Sequence, residues 1–505
     1  MRRAIAVPAS FLAGAASVLA YAPFQAFFVV FAALGALVWL LERASATREG
    51  AWLGFAWGLG AFVAGVSWLF VALHRYGGMP APVAGLAIGL FCAYLALYPA
   101  LVGGCYVHLR RGPAAGRAAL FAGLWILSEM LRGWLFTGFP WLAVGYTQTP
   151  PSPLASLFPV LGVYGVGGVV AFVAALAASV RWRSFVPAAA ATVAFVAVIF
   201  VAMHAATRVW VAPEGPPLRV ALVQTDIAQD LKWRPERVRE WLDLNIELSD
   251  VEGAELVVMP ESTLPLIAER LPTGYLDFLD SRARRNGSDL ILGVFLRDDQ
   301  GRIFNAVTSL GDSSSQSYAK RHLVPFGEYS PPLFGWFYAL ADIPMSNQTP
   351  GASDQPPLAV AGQRIAVNIC YEDLFGRELL YALPEATLML NVSNLAWYGH
   401  SFAQPQHLQI SRVRAMETGR PMLRSTNTGM TAVVLPSGHV EAMLPQFERG
   451  VLHAEVRGYV GLTPYARWGD HAPLLLAALA LAFGMVMRVF GSTAAPHVWR
   501  RRPEA

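Results

Sequence analysis

Residues 1–206 carry seven apolar runs, near 4–22, 24–41, 51–73, 83–107, 118–136, 160–180 and 185–205, and an eighth lies near 472–490. The hydrocarbon core of a bilayer is about 30 Å thick and takes roughly 20 apolar residues per helix. Runs repeated at that length leave this part of the chain one kind of fold, a bundle of membrane-spanning helices. The acidic residues divide accordingly. Only Glu42, Glu49 and Glu129 of the 34 acids fall within 1–206, and 30 lie between 207 and 503. One part is built for lipid and the other for water. With 55% hydrophobic and 14% charged residues, the chain is not disordered. Its net charge of +4 comes from short arginine clusters between apolar runs, which excludes a nucleic-acid-binding face.

The arginines also predict orientation. With eight spans, Arg2, Arg3, Arg43, Arg48, Arg110, Arg111, Arg117, Arg181, Arg183, Arg500, Arg501 and Arg502 all fall on one side. The short loops on the other side hold only Arg75. Both termini are then cytoplasmic. A miscount of one span would scatter the arginines over both faces. The first run follows Arg2 and Arg3 as a signal peptide would, but six more spans follow it without a strong cleavage signal, so it is expected to be retained. The expected organisation is a membrane domain at 1–206 with seven spans, an extracytoplasmic domain at 207–470, and the eighth span with a cytoplasmic tail at 471–505. Glu129 and Arg132, three apart in the fifth run, share a helix face. Charge at that depth faces protein or a water-filled cavity, and a structural ion pair is expected. The following Thr137-Gly138-Phe139-Pro140-Trp141 suits a turn at the outer interface.

Residues 218–456 alternate between strand and helix patterns. Strand-like runs occur at Leu218–Val223, Leu256–Met259, Leu290–Phe295, Arg364–Ile369, Thr387–Val392 and Met430–Leu435, with helical patterns such as Glu236–Leu248, Tyr275–Arg285 and Gln406–Thr418 between them. This predicts an α/β layered domain with a buried sheet. The irregular stretch Glu328–Gln355 holds Pro331, Pro332, Phe334, Trp336, Phe337 and Tyr338. A loop of that length is expected to be a lid or binding loop. Three cysteines, Cys92, Cys105 and Cys370, cannot form a disulfide framework, and no CxxC or HExxH points to a metal.

Ligands of α/β sheets bind beyond the carboxyl ends of strands. Glu261, Lys320 and Cys370 fall at such points. At a strand-to-helix junction, Cys370 is expected to have a lowered thiol pKa and to act as nucleophile. Glu261 could serve as general base and Lys320 could stabilise an oxyanion. The chain has two lysines, Lys232 and Lys320, among 38 basic residues. An ammonium kept against such a bias points to a task that guanidinium cannot perform. His322 and His407 are taken as structural, because this set leaves no task for an imidazole.

The words around these residues are Val257-Val258-Met259-Pro260-Glu261-Ser262, Tyr318-Ala319-Lys320-Arg321-His322-Leu323-Val324-Pro325-Phe326-Gly327-Glu328 and Asn368-Ile369-Cys370-Tyr371-Glu372. They resemble the Glu-Lys-Cys motifs of the nitrilase superfamily. Lys320 to Tyr329, together with Trp125, Glu129, Arg132 and Thr137 to Trp141, resembles the apolipoprotein N-acyltransferase family, and the likeness covers nearly the whole chain. It implies an α-β-β-α sandwich set between the seventh and eighth spans. It implies transfer of an acyl chain from a phospholipid, phosphatidylethanolamine commonly, to the α-amino group of a diacylglyceryl-cysteine on an apolipoprotein. The site would lie on the periplasmic face of a bacterial inner membrane and need no cofactor. By the same likeness, Cys370 carries a thioester, Glu261 is the base and Lys320 the oxyanion cation. Glu328, Glu372 and Tyr371 position Lys320 and substrate, and Asn305 and Trp233 lie near the site. Trp336, Phe337, Trp397 and Tyr398 are candidates for a lid or lipid contact. Two alternatives share these features: a membrane-anchored amidohydrolase with the same three residues, and a transporter or sensor with a non-catalytic outer domain.

Overall fold

The computed structural model describes residues 3–180, 182–330 and 347–493. Apolar sequence becomes helix at Arg3–Ser17, Val29–Leu41, Thr47–Val66, Ala81–Leu109, Ala114–Arg132, Phe158–Ser179, Phe185–Ala206 and His471–Thr493. Among the described residues, five helical segments are long and apolar enough to cross a bilayer: Ala81–Leu109, Ala114–Arg132, Pro153–Ser179, Phe185–Ala206 and His471–Val489. A sixth is the pair Thr47–Val66 and Leu69–Tyr76, bent by 59°. The first two expected spans form shorter apolar helices, Ala4–Ala20 and Val29–Leu41. The 13 residues of Val29–Leu41 reach only about 20 Å. Small residues let the helices approach closely. A Cβ on Gly54 would stand 2.1 Å from the Pro99 carbonyl oxygen of the neighbouring helix. The bend after Val66 leaves the Gly65 carbonyl outside the helical ladder, where it accepts from Trp68 Nε1 at 2.9 Å and Gln406 Nε2 at 3.2 Å.

The α/β part holds twelve strands: β1 Val211–Gln224, β2 Leu256–Val258, β3 Asp289–Arg297, β4 Ile303–Gly311, β5 Ser317–Ala319, β6 Leu358–Val360, β7 Gln363–Ile369, β8 Leu388–Ser393, β9 Met422–Thr426, β10 Ala432–Val434, β11 Val440–Met443 and β12 Gly450–Gly461. They form two six-stranded sheets, in the orders β12-β1-β2-β3-β4-β5 and β11-β10-β9-β8-β7-β6. The central strands of each sheet, β1-β2-β3 and β7-β8-β9, are parallel. The residue pattern on its own predicts one sheet; the doubling shows in the faces. Leu218, Val220 and Leu222 of β1 pack with Ile365, Val367 and Ile369 of β7 between the sheets. The alternate residues Ala221 and Val223 turn outward to Leu242 and Leu279, on helices Val238–Ser249 and Tyr275–Arg285. On the second sheet, Ala366 and Met389 turn to Leu408 and Ala415 of helix Ala403–Thr418. The layers run helix, sheet, sheet, helix.

All 16 residues of Ala403–Thr418 are buried, although many are polar. One side of this helix covers the sheet and the other meets the apolar bundle. Gln409 Oε1 accepts from Ala22 N at 3.0 Å, Gln406 Oε1 accepts from Trp141 Nε1 at 2.7 Å, and Glu417 Oε1 accepts from Val163 N at 2.7 Å. The arginine-bearing connections lie at the opposite helix ends, where Arg117 Nε meets Glu42 at 3.0 Å and Arg110 donates to the Ala44 carbonyl.

Candidate active site

Glu261 leaves β2 in a tight turn. Met259 N donates to Ile291 O at 2.8 Å, Thr263 Oγ1 to Pro260 O at 2.5 Å, and Leu264 N to Gly293 O at 3.0 Å. Ser262 takes a left-handed φ of 51°. The turn lies directly on β3. A Cβ at Gly293 would stand 2.5 Å from both Pro260 O and Ser262 N. Gly293→Ala is therefore expected to push the Glu261 turn away. An ångström-scale displacement there should lower acyl transfer on the order of 10²-fold, and overpacking should cost about 1–3 kcal/mol of stability. Steady-state assays beside thermal melts check both.

Lys320 follows β5, with its main-chain N donating to Asn305 O at 2.8 Å. Its ammonium is fully buried and lies 2.6 Å from Glu328 Oε1 and 3.3 Å from Glu261 Oε1. Asn305, on β4, donates to the same Glu261 oxygen at 2.8 Å, and Asn394 N donates to the other at 2.8 Å. Val324 N donates to Glu328 Oε2 at 2.8 Å. Two carboxylates thus share one cation away from water. Burial penalises the Lys320 ammonium, but Glu261, Glu328 and Cys370 outweigh that and hold its pKa well above the ordinary value. Burial raises Glu328, against the pull of Lys320.

Cys370 ends β7 with a left-handed φ of 54°, and it is half-buried. That backbone is uncommon for a residue with a side chain and is characteristic of sharp strand-to-helix turns at functional sites. The expected lowering of its pKa is reversed. Burial pushes the thiol well up, Glu261 and Glu328 add to the rise, and Lys320 with the Asn394 N–H only partly opposes it. The five-residue 3₁₀ turn at Cys370–Leu374 replaces the expected helix start. Cys370 is therefore a thiol at rest. Its alkylation by iodoacetamide should keep rising with pH through about 9, the ordinary cysteine range, whereas a thiol lowered by Lys320 would plateau below neutrality.

Glu372 braces two of these segments. Its Oε1 accepts from Arg321 N at 2.7 Å and His322 N at 3.1 Å, while its Oε2 accepts from Ile369 N at 2.6 Å. It ties the Lys320 segment to the Cys370 turn. Tyr371 points the other way, its hydroxyl donating to Gly138 O at 2.9 Å in the apolar half. Glu129 and Arg132 meet the same turn. Glu129 Oε1 accepts from Val144 N at 2.8 Å, and Arg132 Nη1 donates to Phe139 O at 2.5 Å and Trp141 O at 2.6 Å. The expected ion pair is thus a clamp on residues 139–144, because main-chain groups left unpaired by the turn compete for both side chains.

Trp397 packs on Tyr76 with ring centroids 6.1 Å apart, and Tyr398 packs on Trp68 at 4.5 Å. Both therefore face the bent segment of the apolar half. Trp233 packs on Phe295 at 5.8 Å. Trp336 and Phe337 lie outside the described residues. His322 stacks on Phe375 at 3.6 Å, and His407 Nδ1 lies 2.8 Å from Arg424. Asn394 escapes the sequence analysis; its position just past the end of β8 was the available signal.

Two families match the chain: the apolipoprotein N-acyltransferase N-terminal domain over residues 13–176, and carbon-nitrogen hydrolase over residues 219–465. An apolipoprotein N-acyltransferase of Nitrosomonas europaea is 43% identical over 489 residues, covering 96% of this chain and 97% of the relative. That of Chromobacterium violaceum is 41% identical over 505 residues, covering 99% and 96%. That of Methylococcus capsulatus is 40% identical over 471 residues, covering 91% and 92%.

Proposed function

The chain belongs to the apolipoprotein N-acyltransferase family, and we propose that its reaction passes through a thioester on Cys370. It is an N-acyltransferase whose substrates are a phospholipid and a lipoprotein, in a bacterial membrane. The observation that carries the thioester route is the Lys320 ammonium buried between Glu261 and Glu328, in electrostatic contact with Cys370.

Glu261 takes the Cys370 proton as sulfur attacks the donor's ester carbonyl. Lys320 stabilises the resulting oxyanion. The C–O bond breaks, and Glu261 returns the proton to the departing lysophospholipid alkoxide. The α-amino group of the diacylglyceryl-cysteine then attacks the thioester. Glu261 accepts the amine proton and passes it to the departing Cys370 thiolate. Division into two half-reactions spares the site from holding two lipids at once and predicts ping-pong kinetics. Glu328 positions Lys320, Asn305 and Asn394 orient Glu261, and Glu372 holds the Lys320 and Cys370 segments together.

Phosphatidylethanolamine is the proposed donor. The proposed topology has eight spans, the two short helices included, with both termini cytoplasmic and the 207–470 segment periplasmic. The meeting of Arg117 and Arg110 with residues 42–44, at the bundle end away from the α/β part, supports that orientation. Trp397 and Tyr398 are proposed to line lipid entry. Tyr398 and Trp397 support this by packing on the bent segment near the bundle's end.

Incubation of the enzyme with phosphatidylethanolamine alone tests the proposal. Intact mass should rise by one acyl chain, hydroxylamine should remove it, and a diacylglyceryl-cysteine peptide should discharge it as N-acylated product. Absence of the adduct from a donor that supports full turnover would overturn the thioester route.

A further inference from the structure

Both lysines of this arginine-rich chain lie beside Glu261. Lys320 meets its carboxylate from one side. Lys232 reaches it from behind, at the end of the short helix Gln229–Lys232, with its Nζ donating to the Glu261 main-chain oxygen at 3.3 Å. Lys232 is 2% exposed, and among the described residues it pairs with no carboxylate. A buried ammonium without an ion-pair partner is costly to maintain. The anion in its field is Glu261, which opposes the desolvation that pulls the lysine down to about 8. The short helix is tied to the same carboxylate by a second route. Gln229 Oε1 accepts from Asn394 Nδ2 at 3.0 Å, and Asn394 N holds Glu261 Oε2.

We propose that Lys232 is a positioning residue for the acyl-transfer reaction, whose buried ammonium holds the Glu261 main chain, and with it the carboxylate, aimed at Cys370. This rests on the assignment of Glu261 as base. Glu261 shares the Lys320 charge with Glu328. The ionisable groups facing it are Lys320 beyond β5, Glu328 in the following loop, Cys370 at the end of β7 and Tyr398 beyond β8. Of these only Lys320 is cationic, and it is shared. A second cation behind the main chain adds to the positive field at the Glu261 carboxylate without occupying the face that receives the thiol proton. An ammonium suits a position with one carbonyl acceptor, where a guanidinium would bury further donors unpaired.

The test is the pH dependence of acyl-enzyme formation in Lys232→Gln and Lys232→Met, measured by intact mass in full-length enzyme with phosphatidylethanolamine vesicles. Glutamine keeps a donor for the Glu261 carbonyl and removes only the charge. In both variants the acidic limb of the rate profile should move up by about one pH unit, giving a roughly tenfold loss on the acidic side of the limb that recovers toward wild type at high pH. A uniform loss at every pH, or a glutamine variant with the wild-type limb, overturns the proposal. If the methionine variant does not fold, the glutamine variant decides. A wild-type enzyme without an adduct fails the acyl-enzyme route itself. The limb is then read from the pH profile of overall N-acylation of a diacylglyceryl-cysteine peptide.

Discussion

Cys370→Ala is expected to form no hydroxylamine-labile adduct and to lose N-acylation by about 10⁴-fold or more, as when a nucleophile is removed from a covalent mechanism. The fold should persist. Alanine meets the same left-handed backbone demand as cysteine at this position, and the Glu372 brace to Ile369 N does not involve the thiol. Removing the sulfur also removes a group whose ionised form is opposed by burial and by both carboxylates. A melting temperature within a few degrees of wild type is expected, and an unaltered acyl adduct on the variant would disqualify Cys370. Mass spectrometry after donor treatment, beside a thermal melt, gives both readings on one sample.

Lys320→Met is expected to fail in two ways at once. Loss of the proposed oxyanion cation should cost acylation about 10²–10³-fold. The larger consequence is for the two carboxylates, which the ammonium holds at 2.6 and 3.3 Å away from water. Without it, Glu261 and Glu328 become a buried like-charge pair, and one must take a proton. That disables the proposed base and leaves uncompensated charge, at about 3–5 kcal/mol of stability. Lys320→Arg should not rescue activity, because the wider guanidinium cannot occupy a fully buried position between two oxygens without moving them. The double variant Lys320→Met, Glu328→Gln separates the effects: stability should return while activity stays lost. Acyl-enzyme formation and thermal melting on the three variants check this, and an active double variant would remove Lys320 from the chemistry.

Much of the site was legible because its signals are local. Glu261, Lys320 and Cys370 each follow a strand, and a short sequence word surrounds each one. Asn305 donates to Glu261 at 2.8 Å. Span length was less legible: helix Val29–Leu41 comes from an 18-residue apolar run but retains only 13 residues, because Gln25 and its neighbours form a turn. Strands β4, β6, β9, β11 and β12 were missed. Most are short, or alternate between packing and open faces that no window of sequence reveals. Helix Ala403–Thr418 was read from Gln406 onward, but its burial on both sides was not, because it carries no amphipathic stripe.

The sequence by itself determined that one half of this protein is apolar helix and the other α/β, and it singled out the three side chains proposed to react. Hydrophobic length, side-chain period and residue chemistry are properties of a chain segment. Only the tertiary structure decided how those groups behave. It made Cys370 a raised thiol rather than a lowered one, turned Glu129 and Arg132 onto a turn rather than onto each other, and brought Lys232 behind Glu261. Desolvation and electrostatic fields depend on what packs around a charge, and here that packing comes from segments tens to hundreds of residues away.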